Sequence, residues 1–307
     1  MEKINIRKQF ANTVLEVGQQ DEKLVVLLGD IGHFNMIPFA EACPKRFYNV
    51  GICEPTIISM AAGLSKAGLI PVVHTINPFI VERSFEQLKL DFIYQKLSGN
   101  IVTVGSLFDY SKLGCTHHCY GDFALLKTLF DVEILFPSSV NEFDLLFKQT
   151  YNNNKLTFFR IPEESHDVTF ANIEVGKAIK VSEGDDLTIV VTGPQLKNAI
   201  QIKDYLAKDG KKIEIIYVHT IRPLDKEVIF DSCSKTKRVL VIEEHGENGG
   251  LGEDILKLIY KINDIKFEHA CVKNGFIHSY GTYKELLELT ELDFESILLK
   301  AKELICE

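Results

Sequence analysis

The sequence has no basic stripe to offset its formal net charge of −9, and that balance disfavours a nucleic-acid partner. No apolar run approaches the ~18 residues of a membrane span, so neither a transmembrane helix nor a membrane partner is expected. The opening MEKINIRKQF lacks the apolar centre of a secretory signal. Cysteine occurs seven times but never as CxxC, and an odd, scattered set fits a reducing cytoplasm better than a disulfide framework. No internal repeat is visible, which sets stacked-repeat architectures aside. What is present is ordinary globular material: 46% hydrophobic and 25% charged residues can build a sizeable core. A length of 307 residues gives a prior of about two domains.

The most informative stretch is FYNVGICEPTIISMAAGLSKAG, residues 47–68. It reads as a short strand (47–50), a tight turn around Gly51 and a helix over 56–67. Pro55 suits a first helical position, where its missing N–H costs nothing. Ile57, Ile58, Met60, Ala61, Ala62 and Leu64 make the helix apolar around most of its circumference, as in a core or a subunit interface. Glu54 is the odd residue, one carboxylate at the mouth of an apolar helix. One explanation is a helix-start acid favoured by the macrodipole. The other is a functional carboxylate whose surroundings tune its chemistry.

Strand and helix patterns alternate from end to end, which predicts an α/β protein of two unequal doubly wound domains with mainly parallel sheets. In the first domain strands are expected at 24–28, 47–50, 70–74, 101–104, 133–136 and 157–161. Helices are expected at 4–18, 36–42, 56–67, 79–97, 122–129 and 141–151. Residues 162–183 show scattered charge and no long periodicity. The first domain is therefore placed at 1–165, a linker at 166–184 and the second domain at 185–307. That domain opens on the apolar strand 187–191 and helix 195–208. Segments 213–218, 225–232, 239–243, 250–262 and 267–272 follow, and helices 282–290 and 293–304 close the chain.

Open α/β sheets bind ligands beyond the carboxyl ends of their strands. Three polar loops fall there: Gly29-Asp30-Ile31-Gly32, the turn with Glu54, and LGCTHHC at 113–119, inside a loop longer than its neighbours. Zinc held by Cys115, His117, His118 and Cys119 is disfavoured, because four ligands within five residues would struggle to form a tetrahedron. One histidine bonded to backbone is the plainer reading. Gly121-Asp122-Phe123, followed by Asn152-Asn153-Asn154, faintly echoes a GDG…NN signature for magnesium and a diphosphate. Phe123 stands where glycine must let backbone approach the anion, so the echo is set down to chance. In EEHGENGGLG, residues 243–252, the glycines could cradle phosphate, but the acids beside them oppose an anion. A tight turn with close helix–sheet packing is favoured there.

Taken together, these stretches resemble the thiamine-diphosphate-dependent transketolase and deoxyxylulose-phosphate synthase family. LGDIGHFNMIPFAEACPKRFYNVGICEPTIISMAAGLSKAG resembles its pyrimidine-binding domain, with Glu54 on the catalytic glutamate. HTINPFIVERSFEQLKLD is similar to the next strand–helix segment, and Thr116-His117-His118 to the TH[QH] motif. RVLVIEEHGENGGLGEDI resembles the opening of the family's C-terminal domain. The likeness spans essentially the whole chain in one order. The family's diphosphate-binding domain, with its GDG…N signature, would lie before residue 1. The chain therefore resembles the C-terminal half of a split transketolase whose other half is a separate polypeptide.

The resemblance implies thiamine diphosphate as cofactor, its magnesium held mainly by the partner subunit, and a transferase that passes a two-carbon ketol unit from a ketose to an aldehyde. Glu54 would hydrogen-bond the aminopyrimidine ring nitrogen, Phe79 would stack on that ring, and Asp30 would line the pocket. Read from the residues alone, Phe79 is equally well a core aromatic. His117 and His118 would face substrate oxygens, and Arg7 falls on one of the family's phosphate ligands. The implied assembly is a cytoplasmic heterotetramer, with an N-terminal diphosphate-binding subunit and self-association through the pyrimidine domain. Several positions depart from the pattern: Leu113 replaces a hydroxyl-reading Asp, Phe136 a phosphate-binding Arg, and Ile76 and Glu82 two pocket aromatics. These disfavour a standard pentose-phosphate pair and point to smaller, deoxygenated or otherwise modified sugar substrates. Two alternatives stand beside this reading. A β subunit of a 2-oxo-acid dehydrogenase first component is disfavoured by the THH motif, and a non-catalytic assembly subunit by Glu54 and His117.

Overall fold

The computed structural model describes residues 4–306, which form two compact units. One holds the chain up to Ser106 together with Leu125–Val175; the other holds Leu107–Ala124 and everything from Gly176 onward. Among the described residues no helix is long and apolar enough to cross a membrane.

The first unit runs α1 (Ile6–Gln20), β1 (Leu24–Leu28), α2 (His33–Ala42), β2 (Phe47–Asn49), α3 (Glu54–Lys66), β3 (Ile70–Ile76), α4 (Asn77–Val81) and α5 (Phe85–Gln87). It continues with β4 (Gly99–Val104), α6 (Asp122–Lys127), β5 (Val132–Leu135), α7 (Val140–Thr150) and β6 (Leu156–Ile161), the division between units falling within α6. Its strands lie in the order β5-β6-β4-β3-β1-β2, and each neighbouring pair is parallel. Strands covered on both faces must be apolar throughout, and Leu24-Val25-Val26-Leu27-Leu28 is buried at every position. From β1 the winding goes one way to β2 and the other way to β3. The carboxyl ends of β1 and β3 therefore flank the topological switch point, where such sheets bind ligands.

The second unit runs β7 (Ile179–Ser182), β8 (Leu187–Val191), α8 (Leu196–Leu206), β9 (Ile213–Tyr217), β10 (Thr220–Arg222) and α9 (Lys226–Thr236). It ends with β11 (Arg238–Gly246), α10 (Leu251–Ile259), β12 (Lys266–Val272), α11 (Tyr283–Leu289) and α12 (Phe294–Cys306). Its sheet has the order β12-β11-β8-β9-β7, parallel except for β7 against β9. Two α/β units with mostly parallel sheets are what the alternation of patterns predicts.

The differences are local and have physical causes. The first helix is displaced from 4–18 to Ile6–Gln20, because Asn5 serves as its cap and accepts the Lys8 N–H at 2.9 Å. The expected long helix over 79–97 is broken: α4 ends at Val81, and after α5 the turns widen to π geometry over Leu88–Ile93. No glycine or proline marks that break, so periodicity passes straight through it. Residues 166–184, read as linker, contain β7, an edge strand of four residues too short and too charged to show a pattern. β10, three residues long, escaped for the same reason.

Candidate functional site

Three of the expected site residues come from the segments that follow β1, β2 and β3: Asp30 from a loop, and Glu54 and Phe79 from the helices α3 and α4. Glu54 is the first residue of α3, directly before Pro55, whose missing N–H would have had no helical partner there. Ile57, Ile58, Ala61 and Ala62 pack the same helix against the core, and they carry Glu54 inward with them. The carboxylate is 2% exposed. Its Oε2 meets Arg83 Nη1 at 3.5 Å, long for a charged hydrogen bond, and its Oε1 has no partner among the described residues. An unmatched buried carboxylate oxygen is costly.

Phe79, half-buried in α4, lies beneath the same guanidinium, whose carbon is 3.8 Å from the ring centroid. Arg83 thus joins Glu54 and Phe79 into one cluster. Sequence reasoning missed Arg83, although its spacing of four from Phe79 places the two on one face of any helical turn. Asp30 lies at the carboxyl end of β1. It is exposed, with φ +68°, and exchanges two hydrogen bonds of 3.1 Å with Asn49. Next to it Gly29 N–H donates to His74 O at 3.0 Å. His74 is buried in β3, and burial, outweighing its bond to Val102 O, pushes its pKa down to about 4; the nearby charge of Arg7 acts in the same direction. Arg7 itself is half-buried in α1.

The departures also have structural counterparts. Phe136, fully buried, carries the guanidinium of Arg160 over its ring at 4.6 Å, and Arg160 Nε donates to Ser106 Oγ at 2.9 Å. Ile76 is buried, Glu82 is exposed, and Leu113 is exposed.

His117 and His118 belong to the second unit. Both backbone N–H groups donate to Gly114 O, which folds the motif into a tight turn. His117 is half-buried; its Nδ1 lies 2.9 Å from Thr116 Oγ1, and Tyr110 meets its ring edge-on. His118 points inward, with Nε2 3.3 Å from Ser111 O and Phe108 against its ring. Burial lowers its pKa, partly countered by that carbonyl. One of the two is thus the backbone-bonded histidine, and the other is the accessible one.

At the carboxyl end of β11 each side chain of the EEH run makes hydrogen bonds. Glu243 accepts from Leu251 N and Gly252 N at 2.7 Å each and lies 2.8 Å from His269 Nε2. Burial raises its pKa, but the bond to His269, the charge of that imidazole and the Gly252 N–H outweigh this and hold it at about 2. Glu244 accepts from Gln195 Nε2 and from the Tyr283 hydroxyl. The glycine-rich turn is therefore filled by the chain's own carboxylates and amides, as tight packing requires.

Residues 2–167 match the transketolase pyrimidine binding domain, and residues 176–297 match the transketolase C-terminal domain. The chain belongs to the transketolase family. It is 30% identical to one of the subunits of the apulose-4-phosphate transketolase of Phocaeicola vulgatus, over 95% of this chain and 97% of that one. It is 28% identical to a putative transketolase C-terminal section of Methanocaldococcus jannaschii, over 97% and 95%. It is 27% identical to the 1-deoxy-D-xylulose-5-phosphate synthase of Halothermothrix orenii, over 97% of this chain and 48% of that protein. Among solved structures, a split-gene transketolase described as an inactive β4 tetramer superposes with a TM-score of 0.87 at 25% identity, covering 99% of this chain and 98% of that one. This transketolase chain thus has the domain content of a split enzyme's C-terminal half.

Proposed function

We propose that the chain is the catalytic-glutamate subunit of a thiamine-diphosphate-dependent ketol transferase, active with a separate diphosphate-binding subunit. The observation that carries this is the buried Glu54 carboxylate with an oxygen left without a donor. A ligand N–H or protonated ring nitrogen is the complement that oxygen lacks, and the exposed part of the Phe79 ring offers an aromatic heterocycle a surface to lie on. The residues therefore fit the aminopyrimidine end of the cofactor, and Glu54, Phe79 and Asp30 would hold it. When bound, that cofactor supplies a nucleophilic carbon able to break and remake a carbon–carbon bond beside a ketose carbonyl.

In this reading Glu54 holds a proton shared with the pyrimidine ring nitrogen and gives it a fixed place, an acid–base role for one carboxylate. Phe79 fixes the ring plane. His117, the accessible member of its motif, donates to substrate oxygens, while His118 braces the turn from inside. Magnesium and the diphosphate fall to the partner, because the chain's own glycine-rich turn is occupied by Glu243. The substrates are sugars, and the relative named for apulose 4-phosphate supports a ketose outside the ordinary pentose-phosphate pair. Self-association through the pyrimidine domain, giving a cytoplasmic heterotetramer, completes the proposal; the inactive β4 assembly of the related split enzyme supports the need for a second chain.

The test is reconstitution. Mixed with its diphosphate-binding partner and magnesium, the chain should transfer a two-carbon unit between a ketose and an aldehyde, and alone it should hold the cofactor feebly. Tight magnesium-dependent binding by this chain alone, or full activity with Glu54→Ala, would overturn the reading. Decarboxylation of a 2-oxo acid in place of ketol transfer would move it to the dehydrogenase class.

A further inference from the structure

The segment that carries His117, Leu107–Ala124, packs with the second unit, although the chain on both sides of it belongs to the first. Its C-terminal part is held by the EEHGENGG turn. Gly246 N–H donates to Tyr120 O at 2.6 Å, and Ala124 N–H donates to His245 Nε2 at 3.4 Å. The His245 ring lies flat against Phe123, with centroids 5.3 Å apart and an interplanar angle of 1°. Its Nδ1 is 2.8 Å from Gly246 O, and its Nε2 is 3.9 Å from Asp122 Oδ1. His245, Phe123 and Asp122 are all essentially buried. The approach is so close that a Cβ on Gly249, whose φ is +75°, would come within 2.4 Å of the Ala124 methyl.

These bonds select one form of the ring. A carbonyl beside Nδ1 requires the proton there, which leaves Nε2 as the acceptor that the Ala124 N–H needs. A neutral, Nδ1-protonated His245 therefore satisfies one donor and one acceptor of the turn and presents a flat face to Phe123. No other side chain type offers all three at once.

We propose that His245 is a positioning residue: from the second unit it fixes the segment 113–121, and so the direction in which His117 presents itself to substrate. The inference rests on the functional reading of His117 given above. It assigns the C-terminal domain a task within the reaction, and it gives the buried Phe123 ring a use as the surface on which His245 rests.

The experiment uses the full chain with His245→Ala, His245→Phe and His245→Asn, by itself and with its partner. Hydrogen–deuterium exchange on the chain alone should show amides of 113–124 exchanging about tenfold faster in His245→Ala, the scale of one lost hydrogen bond, with the rest of the second unit unchanged. His245→Phe should keep the stack yet lose most protection, and His245→Asn should restore part of it. In the two-chain enzyme the KM for the ketose should rise about tenfold while kcat moves by less than about threefold. Unchanged exchange at 113–124, or faster exchange throughout residues 176–306, would overturn the proposal. Should His245→Ala fail to fold, the Asn and Phe variants carry the same comparison. If the wild-type pair shows no ketol transfer, it is the functional reading that fails, and the exchange pattern still decides whether His245 holds the segment.

Discussion

Glu54 and Glu243 are both buried glutamates, one opening the helix after β2 and the other near the carboxyl end of β11, and their surroundings are opposite. Glu243 has two backbone N–H groups and an imidazole on its oxygens, all within 2.8 Å. Glu54 has one guanidinium at 3.5 Å, itself about half exposed, and among the described residues its other oxygen has no hydrogen-bond partner. The first arrangement is what stability asks of a buried charge. The second is unfavourable for stability. The pyrimidine-binding domain thus keeps a poorly matched carboxylate at the start of α3, whereas in the C-terminal domain Glu243 is matched on both oxygens and Glu244 accepts from Gln195 and Tyr283.

The contrast can be broken in order of size. Replacing Glu54 by Gln should lower ketol transfer by the reconstituted pair by about 10²–10⁴-fold, the usual worth of a positioned acid–base group. The same change should leave the urea unfolding free energy within about 1 kcal/mol of wild type, since it removes a poorly compensated charge. Glu243→Ala should do the reverse: a loss of about 3–5 kcal/mol in the second unit, because His269 and two N–H groups are left without their acceptor. Equal destabilisation by the two substitutions would erase the distinction.

A smaller effect is expected with pH. Glu243 is held at about 2, below its ordinary 4.5, so its contribution is present above 4.5 and is lost as pH falls toward 2. Burial pulls His269 down, but hydrogen bonds to Cys271 and Glu243 outweigh it and raise its pKa to about 9. Its contribution is therefore complete below 6.5 and is lost as pH rises from 6.5 to 9. The pair should be most stabilising between about 4.5 and 6.5, and unfolding curves of His269→Asn should lack the alkaline decline. Buried neutral His74 adds a separate loss between 6.5 and about 4, as the unfolded chain takes up its proton. The smallest change is Arg83→Ala. Its half-exposed guanidinium should contribute under about 1 kcal/mol, read as a slight shift in the unfolding midpoint of the first unit.

Much of this was legible in the order of residues. Leu24–Leu28 and Leu187–Val191 could be placed to the residue because a strand covered on both faces reads as a nearly continuous apolar run. Glu54 stood out because one acid in an apolar helix needs an explanation. What stayed hidden depends on contacts distant in sequence. Arg83 looks like one charge in a polar run until Glu54 and Phe79 are seen on either side of it. His245 looks like part of a turn until Phe123, 122 positions earlier, is found against its ring. The break after Val81 has no local breaker, and β7 exists only because β9 offers an edge to pair with.

Both sheets end in a blunted margin. β2 closes one side of the first sheet with three residues, and β7 closes one side of the second with four, bearing Lys180 and a slip in register. A short, charged or irregular margin offers a stray strand few amides to grip. Two copies of the chain that met border to border would thus find few free amides with which to extend either sheet.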